Sequence, residues 1–151
     1  IEVFDQDMQG EPGSDRRILD VLSRFKVRFM SKDTNANTIT HYVDTTLKHV
    51  KRVVKALEEE FPNAEISTRK VALVSAIGSD MKVPGILARS VKSLADNDIS
   101  VLAIHQCMRQ VDIQFVVDED KYDQAIVALH GALIEPHNHE YAIVAASTTA
   151  G

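Results

Sequence analysis

The sequence predicts an α+β fold. It reads as two ferredoxin-like units of order βαββαβ, each an antiparallel sheet with its helices on one face. A Pro-Gly pair occurs twice, at Pro12-Gly13 and Pro84-Gly85, each after a short apolar strand and a Met-containing loop (Met8, Met81). An amphipathic helix follows each pair. Alternating strands then recur at matching places in both halves, the signature of an internal repeat.

In the first half, residues 1–4 read as a strand. A helix over 14–24 puts Ile18, Leu19, Leu22 and Phe25 on one face. A second strand is expected over 27–30. Residues 38–43 alternate, with Ile39, His41 and Val43 on one side, the period of a half-buried strand. Thr45 or Thr46 then caps a helix carrying Leu47, Val50, Val53, Val54, Leu57 and Phe61. Pro62-Asn63 stops it, and 64–66 closes the sheet.

The second half repeats this order. Residues 71–77 form a nearly continuous apolar strand, apolar on both faces, which suggests a sheet buried or extended by a neighbour. A helix over 84–95 has Pro84 at its start, where a missing N–H costs nothing. Strands are expected over 99–104 and 111–117, the latter alternating as Val111, Ile113, Phe115 and Val117. A helix over 122–133 turns Tyr122, Ala125, Ile126, Leu129 and Leu133 inward. Residues 141–145 read as a last strand, and the pattern leaves open which half's sheet it joins. The domains are therefore 1–67 and 68–146, with a small, polar, flexible tail over 147–151.

Composition bounds the function. The chain has 151 residues, 44% apolar and 26% charged, the balance of a soluble globular protein. Its formal net charge of -5 argues against nucleic acid, whose binders need clustered Lys and Arg. The basic run Lys48, Lys51, Arg52 and Lys55 is answered by Glu58, Glu59 and Glu60, a solvated helix face. One cysteine, Cys107, excludes an internal disulfide and fits a reducing, cytoplasmic setting. No stretch reaches the roughly 20 apolar residues of a membrane span. Because it opens on Ile1 inside a strand-like run, the chain reads as a piece of something longer.

No catalytic constellation stands out. There is no phosphate loop of the Walker type and no Cys-x-x-Cys. His137-x-His139 has the spacing of a metal pair but lies in a polar Pro-Asn loop without further ligands, so no metal is expected. The distinctive segment is 4–14, between a strand and a helix. Its glycines permit close approach of backbone to a ligand, and the helix opening favours an anion such as an amino acid's carboxylate. Asp5, Asp7 and Glu11 would suit the ammonium group; as surface acids on a plain connection they would need no ligand. A second polar stretch, 32–38, offers Asn and Thr side chains that suit a zwitterion and are also common in turns.

At these residues the chain resembles the tandem ACT domains of the regulatory region of aspartate kinases. Met8-x-Gly10-x-x-Gly13 with Ile18 resembles the loop and helix opening of the first ACT domain. Gly78-Ser79-Asp80-Met81-Lys82-Val83-Pro84-Gly85-Ile86-Leu87-Ala88 resembles the same segment of the second, and the next two strands also match, at Ile99-Ser100-Val101 and 106–117. The resemblance implies two ACT domains that pair side by side, usually across a homodimer. It implies binding of an end-product, lysine or threonine, at the ACT–ACT interface. By position the contacts are Asp7, Met8, Gly10, Gly13 and Ser14, faced by Asn35, Asn37 and Thr38, with Ile104 and Gln106 from the second domain. It implies no catalytic residue and no cofactor here; aspartate, ATP and Mg would belong to an N-terminal kinase domain. Gly10 stands where some threonine-sensing members carry Asp, and Asp33-Thr34-Asn35-Ala36 replaces a Ser-rich turn, so the effector is not named by the motif.

Overall fold

The structure is a computed structural model that describes residues 1–10, 12–79 and 81–134. The chain divides into two compact units, Ile1–Arg69 and Lys70–Gly151. The expected strand over 141–145 and the pair His137 and His139 lie outside the described residues.

In the first unit, β1 (Glu2–Phe4) leads through a short 3-10 turn (Gln6–Gly10) to α1 (Ser14–Arg24). Then come β2 (Phe29–Thr34), β3 (Thr38–Val43), α2 (Leu47–Glu60) and β4 (Glu65–Ser67). The sheet order is β2-β3-β1-β4, antiparallel throughout, which is the ferredoxin-like arrangement. Val3 stands opposite Ile39 on one side and Ile66 on the other. Because side chains alternate along a strand, Val3, Ile39 and His41 all turn toward the helices. There they meet Ile18, Val21 and Leu22 of α1 and Val53 and Leu57 of α2, spaced three and four apart. Thr46 caps α2, its hydroxyl accepting from the His49 amide at 3.3 Å.

The second unit runs β5 (Val71–Ile77), α3 (Ile86–Ala95), β6 (Ala103–Gln106), β7 (Asp112–Asp118) and α4 (Tyr122–Leu133). Its described strands pair antiparallel in the order β5-β7-β6. Ile113, Phe115 and Val117 point inward from β7, as their alternation predicts, onto Leu94 of α3 and Ala125 and Leu129 of α4.

The repeat extends to single hydrogen bonds. Gly13 and Gly85 both sit at helix starts with left-handed backbones, φ 104° and 89°, and their carbonyls accept from Arg17 (3.1 Å) and Arg89 (2.9 Å). At the other ends Lys26 and Asp98 also adopt positive φ, 55° and 54°. There the Val27 amide donates back to Leu22 at 2.9 Å, and the Ile99 amide to Leu94 at 3.0 Å.

These turns explain where the elements depart from expectation. β2 begins at Phe29 rather than 27, and β6 at Ala103 rather than 99, because the chain first closes each helix. Val27 and Ile99 therefore fill the core instead of pairing in a strand. Pro84 does not open α3; the cap position needs a left-handed residue, and Gly85 takes it. In α4, Ala125 and Leu129 are buried, but Tyr122 and Ile126 are exposed. That helix is apolar almost all round, so its pattern could not choose a face. Leu47, at the first turn of α2, is exposed as well.

Candidate functional site

The segment after β1 is tied to the β2–β3 hairpin. Phe4 pairs with Thr38, and one residue on the Asp5 amide donates to the Asn37 carbonyl at 2.9 Å. The Asp5 carboxylate accepts from the Asp7 amide at 3.0 Å, and its carbonyl from Met8 at 3.2 Å, which winds the chain into the 3-10 turn. Met8 is half-buried against the core of the unit, while Asp7 is exposed. Gly10 ends the turn, and Gly13 and Ser14 open α1, Ser14 being buried.

On the hairpin side, Asn35 builds the turn. Its side-chain oxygen accepts from the amides of Asn37 (3.2 Å) and Thr38 (2.9 Å), and its own amide donates to the Thr38 carbonyl at 3.0 Å. The Thr38 hydroxyl lies 3.4 Å from the Asn37 side-chain oxygen. Lys32, Asp33 and Thr34, expected in the connection, belong to β2 instead. Asp33 accepts a 2.6 Å bond from Tyr42 on the outer face; burial, then that bond, pushes the Tyr42 hydroxyl above its usual range. The structure thus joins the start of the 4–14 segment to Asn37. Ile104 and Gln106 lie on β6 of the other unit, both exposed.

The equivalent joint recurs in the second unit. The Gly78 amide donates to the Val111 carbonyl at 3.0 Å, and Met81 packs on that unit's core.

Three residues under the first loop form a cluster whose partnerships have no sequence signature. Asp15, in the first turn of α1, accepts from the Lys32 ammonium at 2.5 Å. Its other oxygen faces His41 Nε2 across 3.8 Å, with no hydrogen bond between them. Alternation did place His41 inward, and its side chain is 2% exposed. Burial lowers its pKa to about 4, opposed by the Asp15 carboxylate and aided by Lys32. Lys32 points inward from β2, an edge strand among the described ones, where an inward charge also discourages pairing with another chain.

Among the described residues no His, Cys, Asp and Glu group could hold a metal, and no helix is long and apolar enough to cross a membrane.

A family model for the ACT domain matches residues 74–133. The aspartate kinase Ask_Ect of Stutzerimonas stutzeri is 51% identical over 146 residues, 97% of this chain. This chain belongs with the ACT-domain region of aspartate kinases. It spans 31% of that relative's length. A bifunctional aspartokinase/homoserine dehydrogenase of Haemophilus influenzae is 30% identical across 83% of this chain and 17% of its own length. The fold agrees with solved structures. The regulatory subunit of aspartate kinase from Thermus flavus superimposes with a TM-score of 0.73 at 16% identity, covering 87% of this chain and 89% of its own. Clostridium acetobutylicum aspartate kinase gives 0.77 at 18% identity, over 87% of this chain and 31% of its own. E. coli aspartokinase III in complex with lysine and aspartate gives 0.68 at 15% identity, over 89% and 30%. The ACT region here therefore carries the α+β ferredoxin-like architecture of those regulatory domains.

Proposed function

We propose that this ACT region binds a free end-product amino acid, lysine or threonine, and feedback-inhibits a linked aspartate kinase domain. The observation that carries the reading is the Asp5–Asn37 joint, which holds a glycine-bearing loop and a polar hairpin side by side at the opening of α1. Among the described residues no side chain caps that opening, and a helix start of this kind suits a carboxylate. The negative charge of Asp15 would repel such a ligand, but Lys32 already neutralises it. Asp5 and Asp7 then stand near the loop for an ammonium group. The effector contacts are Asp7, Met8, Gly10, Gly13, Ser14, Asn35, Asn37 and Thr38, with Ile104 and Gln106 supplied through ACT–ACT pairing.

On this reading the fragment has no catalytic residue, works in the cytoplasm as a homodimer, and leaves ATP and Mg to the kinase domain. Control requires that the effector prefer one of two arrangements, typically by about 1–3 kcal/mol. The lysine complex of E. coli aspartokinase III supports an amino acid as the ligand class.

A second reading, a dimerisation module without ligand, is favoured by the face of the second unit turned away from its helices. Val71, Leu73 and Ile77 point there from β5, opposite Asp118, Val116 and Asp112. Isothermal titration of the chain with lysine, threonine and both together separates the two. Saturable heat supports the sensor and names its effector. Heat with neither, alongside a dimer in sedimentation, supports the module.

A further inference from the structure

We propose that His41 and Asp15 form a proton-gated latch between the central part of the first sheet and the first turn of α1. The inference is independent of the effector reading. His41 sits on β3 with its side chain 2% exposed, and its Nε2 faces the Asp15 Oδ1 at 3.8 Å. Both atoms are buried, and neither has a hydrogen-bond partner among the described residues. Two unpaired polar atoms facing each other in a core are costly, and each would gain from a shorter contact. A neutral imidazole can donate from Nε2 in only one of its two tautomers, and across 3.8 Å it makes no bond to Asp15. A protonated one donates from Nε2 and gains a charge-assisted bond.

Four groups face His41. Asp15 comes from α1 and is the only carboxylate among them. Lys32 comes from β2 and holds the other Asp15 oxygen. The Phe29 ring, also from β2, meets the imidazole edge-on at 5.3 Å. The Ile1 amino group, beside β1, donates to the His41 carbonyl at 3.0 Å. Asp15 favours the proton, while Lys32 opposes it. Burial opposes it most, so the latch stays open at neutral pH.

Closing the latch brings Nε2 and Oδ1 from 3.8 Å to a bonded distance of about 2.8 Å. Asp15 lies two residues after Gly13, so the movement is felt at the helix opening and at the end of the loop. The proton comes from solvent and stays on the imidazole; no bond other than hydrogen bonds changes.

The test is a histidine and amide NMR titration of the 151-residue chain from about pH 7.5 to about 2.5, spanning both the reference histidine value and the lowered one. His41 should titrate below the reference histidine value, and the amides of residues 14–17 should shift with its midpoint. Asp15→Asn should lower the midpoint by about half a unit or more and uncouple those amides; Lys32→Met should raise it. In His41→Gln the amide shifts at that midpoint should vanish. Amides that ignore the His41 midpoint, or that keep following it in Asp15→Asn, overturn the latch. So does global unfolding before His41 titrates, because the latch then never closes in the folded protein. A variant that unfolds at neutral pH is set aside for the remaining two, each of which decides the question alone.

Discussion

The Asp5 amide and the Asn37 carbonyl, 2.9 Å apart, fasten the loop after β1 to the tip of the β2–β3 hairpin. The hairpin tip in turn depends on Asn35, whose side chain receives two backbone amides. Asn35→Ala removes the one oxygen that accepts both amides and should cost about 1 kcal/mol, lowering the melting temperature by several degrees. It should also weaken the proposed effector binding. Asp7→Ala and Asn37→Ala should weaken binding with little change in melting, since Asp7 is exposed and Asn37 meets the loop through its backbone. Calorimetric titration and thermal melts check both; unchanged affinity in Asp7→Ala and Asn37→Ala would remove these residues from the site.

Gly13→Ala and Gly85→Ala each place a Cβ where nothing lies within 4 Å, so no clash opposes them. Their cost is purely conformational, because both backbones are left-handed. Each should destabilise the protein by about 1 kcal/mol, read as a lower urea midpoint at unchanged slope. An unaltered midpoint for either variant would show that the helix start relaxes out of the left-handed region.

Stability should fall in mild acid through His41. Its folded pKa of about 4 lies below its unfolded value of 6.5. Between these values the unfolded chain binds the extra proton, so stability declines as pH drops below 6.5 and levels off beneath 4. The full loss is about 3 kcal/mol at most, at 1.36 kcal/mol per unit. Urea unfolding at a series of pH values measures it. His41→Phe should flatten this part of the profile; a profile identical to the parent's would clear His41 of the effect.

Arg17 joins the two helices of the first unit. Its Nε lies 2.8 Å from Glu60, a second nitrogen donates to the Glu60 carbonyl, and the guanidinium stacks over Phe61 at 4.2 Å. The ion pair is half-exposed, so packing carries much of the effect. Arg17→Ala should cost about 1–2 kcal/mol, and Arg17→Lys should recover little of it, since lysine lacks the planar fork. Full recovery by lysine would show that charge alone matters.

The sequence by itself determined the architecture. Period-two alternation in Ile39, His41 and Val43, or Ile113, Phe115 and Val117, fixes which face is buried, because only one register hides every apolar side chain. The paired Pro-Gly motifs located both helix openings, because glycine adopts the left-handed backbone found there at the least cost. Tertiary structure alone decided what crosses between elements. The Asp5–Asn37 bond is made by backbone groups, which every residue carries, so no side chain announces it. Lys26 and Asp98 turn left-handed without being glycine, because the core wants Val27 and Ile99. Asp15, Lys32 and His41 come from a helix and two strands, and only packing α1 onto the sheet brings a carboxylate against a buried imidazole.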